Sequence, residues 1–395
     1  MQVDAFPSKA DVISIISEVD VSRMRILHVA WIDDERHMGP ATSVNMLSQA
    51  QLREGADVSV YNARTSKLIN RNLHSIDLVG ESNVALSRLI EVVSPDVVHF
   101  HSMYILDFIR IGRQCWNVDI PYVISPRGCL VQRAIWSGRW FRKWLGLFFV
   151  FAPWIRRAAA LHFLTAAEAE SSLRFNVPHF VCGNGTELSD IDSTSSPTRR
   201  VLFIGRIDLE HKGLDRLVRS TVKSADVFRH GGWVLEIRGP DYKGDLARLE
   251  ALIERKGVAD FVKVGGPVNG WEKEELLKNS ALFVHASRFE GQPQAVLEAM
   301  AYATPVLVSR GTNMLEVVRS AQAGFCFEDV EENGWNSILR TLSENHFQEQ
   351  IGKRGRALVQ NTADWKQVGA QTVTYYEELI RRKRGAQQSH EVVDT

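Results

Sequence analysis

Along this chain, short uninterrupted apolar runs alternate with stretches whose apolar positions recur every three or four residues. The first pattern reads as strands buried on both faces, the second as helices with one inward side. Met24-Arg25-Ile26-Leu27-His28-Val29-Ala30 predicts a strand over 24–31. A helix over 41–54 follows, with Val44, Leu47 and Leu52 inward and Gly55 as its stop, and then a strand over 58–61. Further strands are predicted at 95–102, from 122 breaking into a loop by 128, and at 161–165, 200–204, 233–238, 261–264, 281–286 and 306–308. Helices fall between and after them, at 166–175, 214–224, 245–256, 272–279, 294–302, 333–343, 346–359 and 365–382. Strand-then-helix order of this kind predicts an α/β protein with parallel sheets. Residues 190–198, DIDSTSSPT, read as a linker between two such units. Residues 1–23 stand before the first strand and read as an accessory leader.

One stretch combines this pattern with charge. Ala281 to Ala286 is an apolar run, Ser287 to Gln292 a loop containing Gly291, Pro293 a residue tolerated in a first helical turn, and Gln294 to Tyr302 a helix. Ligands of open parallel sheets sit at the carboxyl ends of strands, against helix amino termini whose free N–H groups suit an anion. Glu290 and Glu298 flank that position, placed to accept hydrogen bonds from sugar hydroxyls. A pair of glutamates taken alone is more often a solvated surface feature.

The E-x7-E spacing inside FEGQPQAVLEAMAYATPVLVS resembles the donor site of the retaining glycosyltransferases of the GT-B fold, family 4, also called glycosyl transferases group 1. Phe203-Ile204-Gly205-Arg206-Ile207-Asp208-Leu209-Glu210-His211-Lys212-Gly213 is similar to the same family's G-R-x5-K-G segment. The resemblance implies two Rossmann-like domains facing across a cleft. Residues 24–189, rejoined by a C-terminal helix at 365–385, would hold the acceptor, and residues 199–364 a nucleotide-diphosphate sugar. It implies that Arg206 and Lys212 neutralise the departing diphosphate, with no metal or cofactor needed. It implies that Glu298 accepts from ribose, that Glu290 contacts the transferred sugar, and that the amides of Gly291, Gln292, Pro293 and Gln294 line the phosphate or sugar. The nucleotide base would pack at the Gly265-Gly266-Pro267 turn, with Gly266 against it.

The first half carries weaker signals. Gly39 stands at the strand-to-helix turn, where backbone can approach a phosphate; a plain tight turn is the other reading. No G-x-G-x-x-G follows the first strand, so a nicotinamide or flavin has no support. Strand 95–102 ends in His99-Phe100-His101; His99 points opposite to Phe100, one histidine is read as structural, and His101 is kept as a site candidate. Arg127, in Ser125-Pro126-Arg127-Gly128, stands near where many relatives carry histidine; always charged, it cannot be a base but can hold an anion. Between Asp119 and Glu168 there is no acidic residue, while seven Arg and Lys and four of the ten tryptophans fall there. Trp136, Trp140 and Trp144 recur at helical spacing beside basic residues, so residues 133–157 suit either core packing or the surface of an anionic membrane.

Composition narrows the remaining choices. Lys+Arg and Asp+Glu are both 47, which argues against nucleic acid. The four cysteines form no C-x-x-C pair, which fits a reduced, cytoplasmic setting, with the inner face of the cytoplasmic membrane as the alternative. The expected function is therefore transfer of a hexosyl group to a glycan or lipid-linked acceptor in polysaccharide synthesis. A nucleotide-sugar 2-epimerase, a phosphorylase and a non-catalytic sugar-binding relative remain as alternatives on the same fold.

Overall fold

Two sheets stand side by side in the chain, and strand pairing explains why each half reads as it does. The computed structural model describes residues 23–32, 38–72, 75–83, 85–136, 140–188 and 198–391; nearly all of the leader and most of the linker lie outside them. The first sheet has eight strands: β1 (Arg25–Ala30), β2 (Asp57–Asn62), β3 (Lys67–Asn72), β4 (Ser75–Asn83), β5 (Val97–His101), β6 (Tyr122–Ser125), β7 (Ala160–Phe163) and β8 (His179–Val181). Their order is β4-β3-β2-β1-β5-β6-β7-β8. From β2 to β8 the pairs are parallel, while β3 and β4 add an antiparallel hairpin at one edge. That hairpin has no counterpart in the apolar pattern, because Lys67-Leu68-Ile69-Asn70-Arg71-Asn72 is mostly polar and takes its strand form from pairing with β2.

The second sheet has six parallel strands: β9 (Thr198–Ile204), β10 (Val234–Arg238), β11 (Val262–Gly265), β12 (Ser280–His285), β13 (Val306–Val308) and β14 (Gly324–Cys326), in the order β11-β10-β9-β12-β13-β14. Every residue of β12 and β13 is buried, as the apolar runs predict. One face packs Phe203, Leu217, Phe228 and Trp335 among others, and the other packs Phe283, Val296, Met300 and Val318. In both sheets the order runs outward in both directions from a central strand pair, so the carboxyl ends of β1 and β5, and of β9 and β12, open at a switch point.

The basic, aromatic stretch is not one helix. It is divided into Gln132–Ile135, Trp140–Leu145, a π-helical turn Gly146–Phe151 and Ala152–Arg156. Trp154 is fully buried among Phe100, Phe108 and Ile155, and a Cβ on Gly112 would come within 2.5 Å of its indole nitrogen. Trp136, Trp144 and Phe149 are exposed instead. Trp136 follows the first short helix and Trp144 lies in the second with Trp140, so the described members of the stripe face solvent while Trp154 outside it is core. Among the described residues no helix is long and apolar enough to cross a membrane.

Helix Trp365–Glu391 lies against helix Met38–Arg53 on the first sheet. Gly369 permits the approach, since a Cβ there would sit 2.8 Å from Ala50. Beneath the two helices four buried histidines, from β1, β5 and β7, resolve into two hydrogen-bond chains. His28 Nε2 lies 2.7 Å from Gln51 Oε1, whose amide donates to Thr372 Oγ1 at 3.0 Å. His28 Nδ1 must then accept, so His101 Nε2–H donates to it at 2.8 Å. In the second chain His162 Nε2–H donates to the Cys182 carbonyl at 2.7 Å, His99 Nε2–H donates to His162 Nδ1 at 3.3 Å, and Tyr376 O–H donates to His99 Nδ1 at 2.7 Å. Burial keeps His99, His101 and His162 neutral, the first two well below the usual imidazole range and His162 at about 4.

Replacing Tyr376 by Phe removes the hydroxyl while keeping the ring, and leaves His99 Nδ1 buried without its donor. A loss of about 1–3 kcal/mol is expected for such an orphaned acceptor, read from the midpoint of urea unfolding.

Candidate functional site

The chemistry-bearing residues gather where β9 and β12 end. Two loops leave there, 205–213 and 286–293, and they touch backbone to backbone. Gly213 takes a left-handed φ of 66°, and a Cβ on it would lie 2.1 Å from the Ala286 carbonyl oxygen. Arg288 clamps the pair from the other side, with two hydrogen bonds of 2.8 and 2.9 Å to the Asp215 carboxylate and one of 2.6 Å to the Glu210 carbonyl. This proximity brings Lys212 Nζ to 2.5 Å from Glu290 Oε1. The same oxygen accepts from Ser287 Oγ at 2.9 Å and lies 3.5 Å from His285 Nε2. Burial alone would raise the Glu290 carboxyl, but Lys212, His211 and His285 outweigh it and hold it well below the usual range.

Arg206 joins the cluster through His211. His211 Nε2–H donates to the Phe289 carbonyl at 2.8 Å, which leaves Nδ1 to accept from Arg206 Nη2 at 3.2 Å. Arg206 also donates to Asp208 at 3.2 Å and stacks its guanidinium 4.1 Å from the Tyr242 ring centre. Both cations thus have a carboxylate partner, and the cluster is close to electroneutral before any ligand arrives. Asn313 completes it by donating to the Glu290 backbone carbonyl at 2.6 Å.

Glu298 stands on the helix Gln294–Ala301, with its carboxylate 2.6 Å from Lys273 Nζ on the neighbouring helix Gly270–Lys278. Pro293 is the extended residue just before that helix rather than its first turn. Gly266 has open space where a Cβ would point, whereas Gly265 is the constrained glycine, packed on Arg238. The side chains of Gln292 and Gln294 turn away from the cations. Gln292 Oε1 accepts from Asn184 N at 2.6 Å, and Gln294 donates to the Gly185 carbonyl at 2.8 Å.

On the first sheet, Arg127 is a non-glycine residue in the left-handed region, at φ 51°. Its Nη1 donates to Ser43 Oγ at 2.7 Å and its Nη2 to His101 Nδ1 at 3.0 Å. Buried His101 therefore reaches the cleft only through Arg127. Gly39 lies within the first turn of helix Met38–Arg53, so the polar turn expected before it is already helical there. Gly128 donates its N–H to Glu168 Oε1 at 2.5 Å, and the other carboxylate oxygen accepts from Leu164 N at 2.7 Å. Burial pushes Glu168 up to about 7, against those two bonds and the charge of Arg127. Gly128 in turn lies against Glu290 and Gly291, where a Cβ would come within 2.8 Å of the Glu290 backbone. The nitrogens of His28, His99 and His101 lie within 4.8 Å of one another, as metal ligands would. The two hydrogen-bond chains already occupy their ring nitrogens, so no lone pair is left for an ion.

Two cavities of about 550 and 580 Å³ lie at the amino ends of the first sheet's strands, near Pro95 and near Pro121 and Pro178. That is the end opposite the one where parallel sheets bind ligands, and neither holds the cluster.

Residues 186–358 match the family model described as Glycosyl transferases group 1. They are a glycosyl transferases group 1 domain. This domain contains Arg206, Lys212, Glu290 and Glu298. The chain is 29% identical over 192 residues to the MMP alpha-(1->4)-mannosyltransferase of Mycolicibacterium hassiacum, covering 46% of this chain and 44% of that protein. It is 25% identical over 259 residues to the GDP-mannose:cellobiosyl-diphosphopolyprenol alpha-mannosyltransferase of Xanthomonas campestris, covering 61% and 65%. The chain thus spans under half the length of the first relative and under two thirds of the second. A sucrose-phosphate synthase from Thermosynechococcus elongatus superposes with a TM-score of 0.68 at 17% identity, covering 91% of this chain and all of that one. The fold is GT-B.

Within the group 1 domain, sequence reasoning does not find His211, His285, Ser287, Asn313 or Lys273, nor Glu168 on the helix Ala166–Ser171 after β7. His211 had a visible signal, since it lies inside the G-R-x5-K-G segment. Ser287 and His285 lie three and five residues from Glu290, but nothing in their spacing says that they turn toward it; Asn313, Lys273 and Glu168 meet partners 23 to 40 residues away.

Gly213→Ala in the group 1 domain should cost about 1–2 kcal/mol for the left-handed backbone alone, and more for the contact with Ala286. Differential scanning calorimetry checks it, with a clear fall in Tm as the expected result.

Proposed function

We propose that this chain is a retaining glycosyltransferase that moves a hexose from a nucleotide-diphosphate sugar to a glycan or lipid-linked acceptor. The observation that carries the reading is the joint placement of Lys212, Glu290, Arg206 and His211 at two strand ends. A departing diphosphate gathers negative charge, and two fixed cations in a partly dry site stabilise that charge where it develops. Lys212 and Arg206 would exchange part of their bonding to Glu290 and Asp208 for phosphate oxygens, with no metal called on for the charge. Released from Lys212, Glu290 can accept from a hydroxyl of the transferred sugar. Glu298, one helix away, accepts from ribose, and the open space at Gly266 leaves room for the base.

Retention is part of this reading on the strength of the resemblance to the retaining group 1 enzymes. No side chain is assigned as a nucleophile; the leaving phosphate takes the acceptor's proton on the face it departs from, so catalysis is positioning and charge stabilisation. The acceptor lies on the first-sheet side, against Arg127, whose Nε has no hydrogen-bond partner among the described residues. The α-mannosyltransferase relatives support a hexose donor, and the diphosphopolyprenol in the name of one supports an acceptor at a membrane. The exposed side chains of Trp144, Leu145, Phe149 and Val150, with exposed Arg133, Arg156 and Arg157 nearby, suit an anionic leaflet at the cytoplasmic face.

UDP, GDP and ADP and their sugars form the direct test. One nucleotide series should raise the melting temperature, and the matching sugar should be turned over. Lys212→Ala should then lower kcat by about 100-fold or more, the usual scale for losing one transition-state donor. Turnover within a few-fold of wild type would remove Lys212 from its assigned role. Separately, Trp144→Ser with Phe149→Ser should reduce co-sedimentation with phosphatidylglycerol vesicles while leaving Tm unchanged.

A further inference from the structure

We propose that Gln292 is a positioning residue, which carries the relative placement of the two sheets to Glu290. The inference rests on the function proposed above for its kinetic consequence, though its geometry stands independently. Gln292 lies two residues after Glu290, in the same loop, yet its side chain is spent on the other half of the molecule. Asn184 N donates to Gln292 Oε1 at 2.6 Å, and Asn184 Nδ2 donates to the Gln292 backbone carbonyl at 3.3 Å. Gln294 adds a third bond, from its amide nitrogen to the Gly185 carbonyl at 2.8 Å. Three hydrogen bonds thus join residues 292–294 to residues 184–185.

Both sides of this clasp are braced. The 183–186 turn is held from behind: Gly185 lies under the Trp365 ring, where a Cβ would come within 2.4 Å, and Thr186 N donates to the Ala363 carbonyl at 2.7 Å. Gly183 is free of a side chain where the Gln292 amide lies, at 3.0 Å from its would-be Cβ. On the other side the loop is held at Glu290 itself, by Ser287 and Lys212 on the carboxylate and by Asn313 on the carbonyl. Gly291 between them packs its backbone on Arg127 and Gly128. A rotation of one sheet against the other therefore pulls on Gln292, and the pull is delivered to Glu290 across a single residue.

Arg206 and Lys212 sit on the 205–213 loop, which does not take part in the clasp. Nucleotide binding through those cations should survive its loss, while the alignment of Glu290 and acceptor side should not. Gln292→Met keeps length and removes the acceptor; Gln292→Glu keeps an oxygen for the Asn184 N–H.

The test has two arms. In small-angle scattering of the ligand-free protein, Q292M should show a larger radius of gyration than wild type, and Q292E a value near wild type. An unchanged radius in Q292M would overturn the clasp. With the nucleotide found active in the panel, Q292M should bind the diphosphate within about twofold of wild type while kcat falls at least tenfold, with Q292E recovering most of it. Parallel loss of nucleotide affinity and kcat, or no loss of kcat, overturns the positioning role. If wild type binds no nucleotide, it is the functional reading that fails, and the scattering arm still judges the clasp.

Discussion

The contact between Lys212 and Glu290 is the constraint around which the second sheet's loops are arranged. Each of the two groups is mostly removed from water, so either one alone would leave an uncompensated charge. Holding them 2.5 Å apart requires the 205–213 and 286–293 loops to meet. The Gly213–Ala286 approach, the Arg288–Asp215 pair and Gly311, whose would-be Cβ lies 2.3 Å from the Ser287 and Arg288 carbonyls, all serve that meeting. The result is a site whose cations are already aimed and already partnered. On the proposed reading a ligand would meet cations whose positions the two loops already fix, and charges fixed in this way stabilise a transition state without reorganisation at the moment of reaction.

The first sheet meets a different constraint. Its strands β1, β5 and β7 carry histidines at fully buried positions, where an unpaired imidazole would be costly. Two directed chains remove the cost, and both end on the helix Trp365–Glu391 or start from it, through Thr372 and Tyr376. The C-terminal helix is thus bonded into the sheet core and not merely laid over it. Arg127 donates into the head of one chain, so the residue facing the cleft and the crossing helix share one hydrogen-bonded path.

Much of the candidate site was legible because its signals are local. Gly205-Arg206 to Lys212-Gly213 and Glu290 to Glu298 are each one strand end, one loop and one helix start, and their spacing dictates what a loop of that length can present. The side-chain directions of Gln292 and Gln294 were not legible, because their partners lie 108 and 109 residues away. Asn313 and Glu168 escaped for the same reason. The tryptophan spacing holds in part, since Trp140 and Trp144 share the helix Trp140–Leu145 while Trp136 follows the separate helix Gln132–Ile135. Trp154 fell to the core because Gly112 leaves a slot for its ring.

By itself the sequence determined the α/β class, the parallel strands of both halves, and the positions of the cations and carboxylates on strand ends. These follow from periodicity, glycine placement and short spacing, which act within a few residues. Only the tertiary structure decided which carboxylate each cation meets, Glu290 for Lys212 and Asp208 for Arg206, and that the 292–294 loop is shared with the other sheet. The Lys212–Glu290 pairing and the shared loop depend on distances between segments 78 and 108 residues apart, which sheet order and domain docking set and local pattern does not carry, while Arg206 meets Asp208 within its own loop.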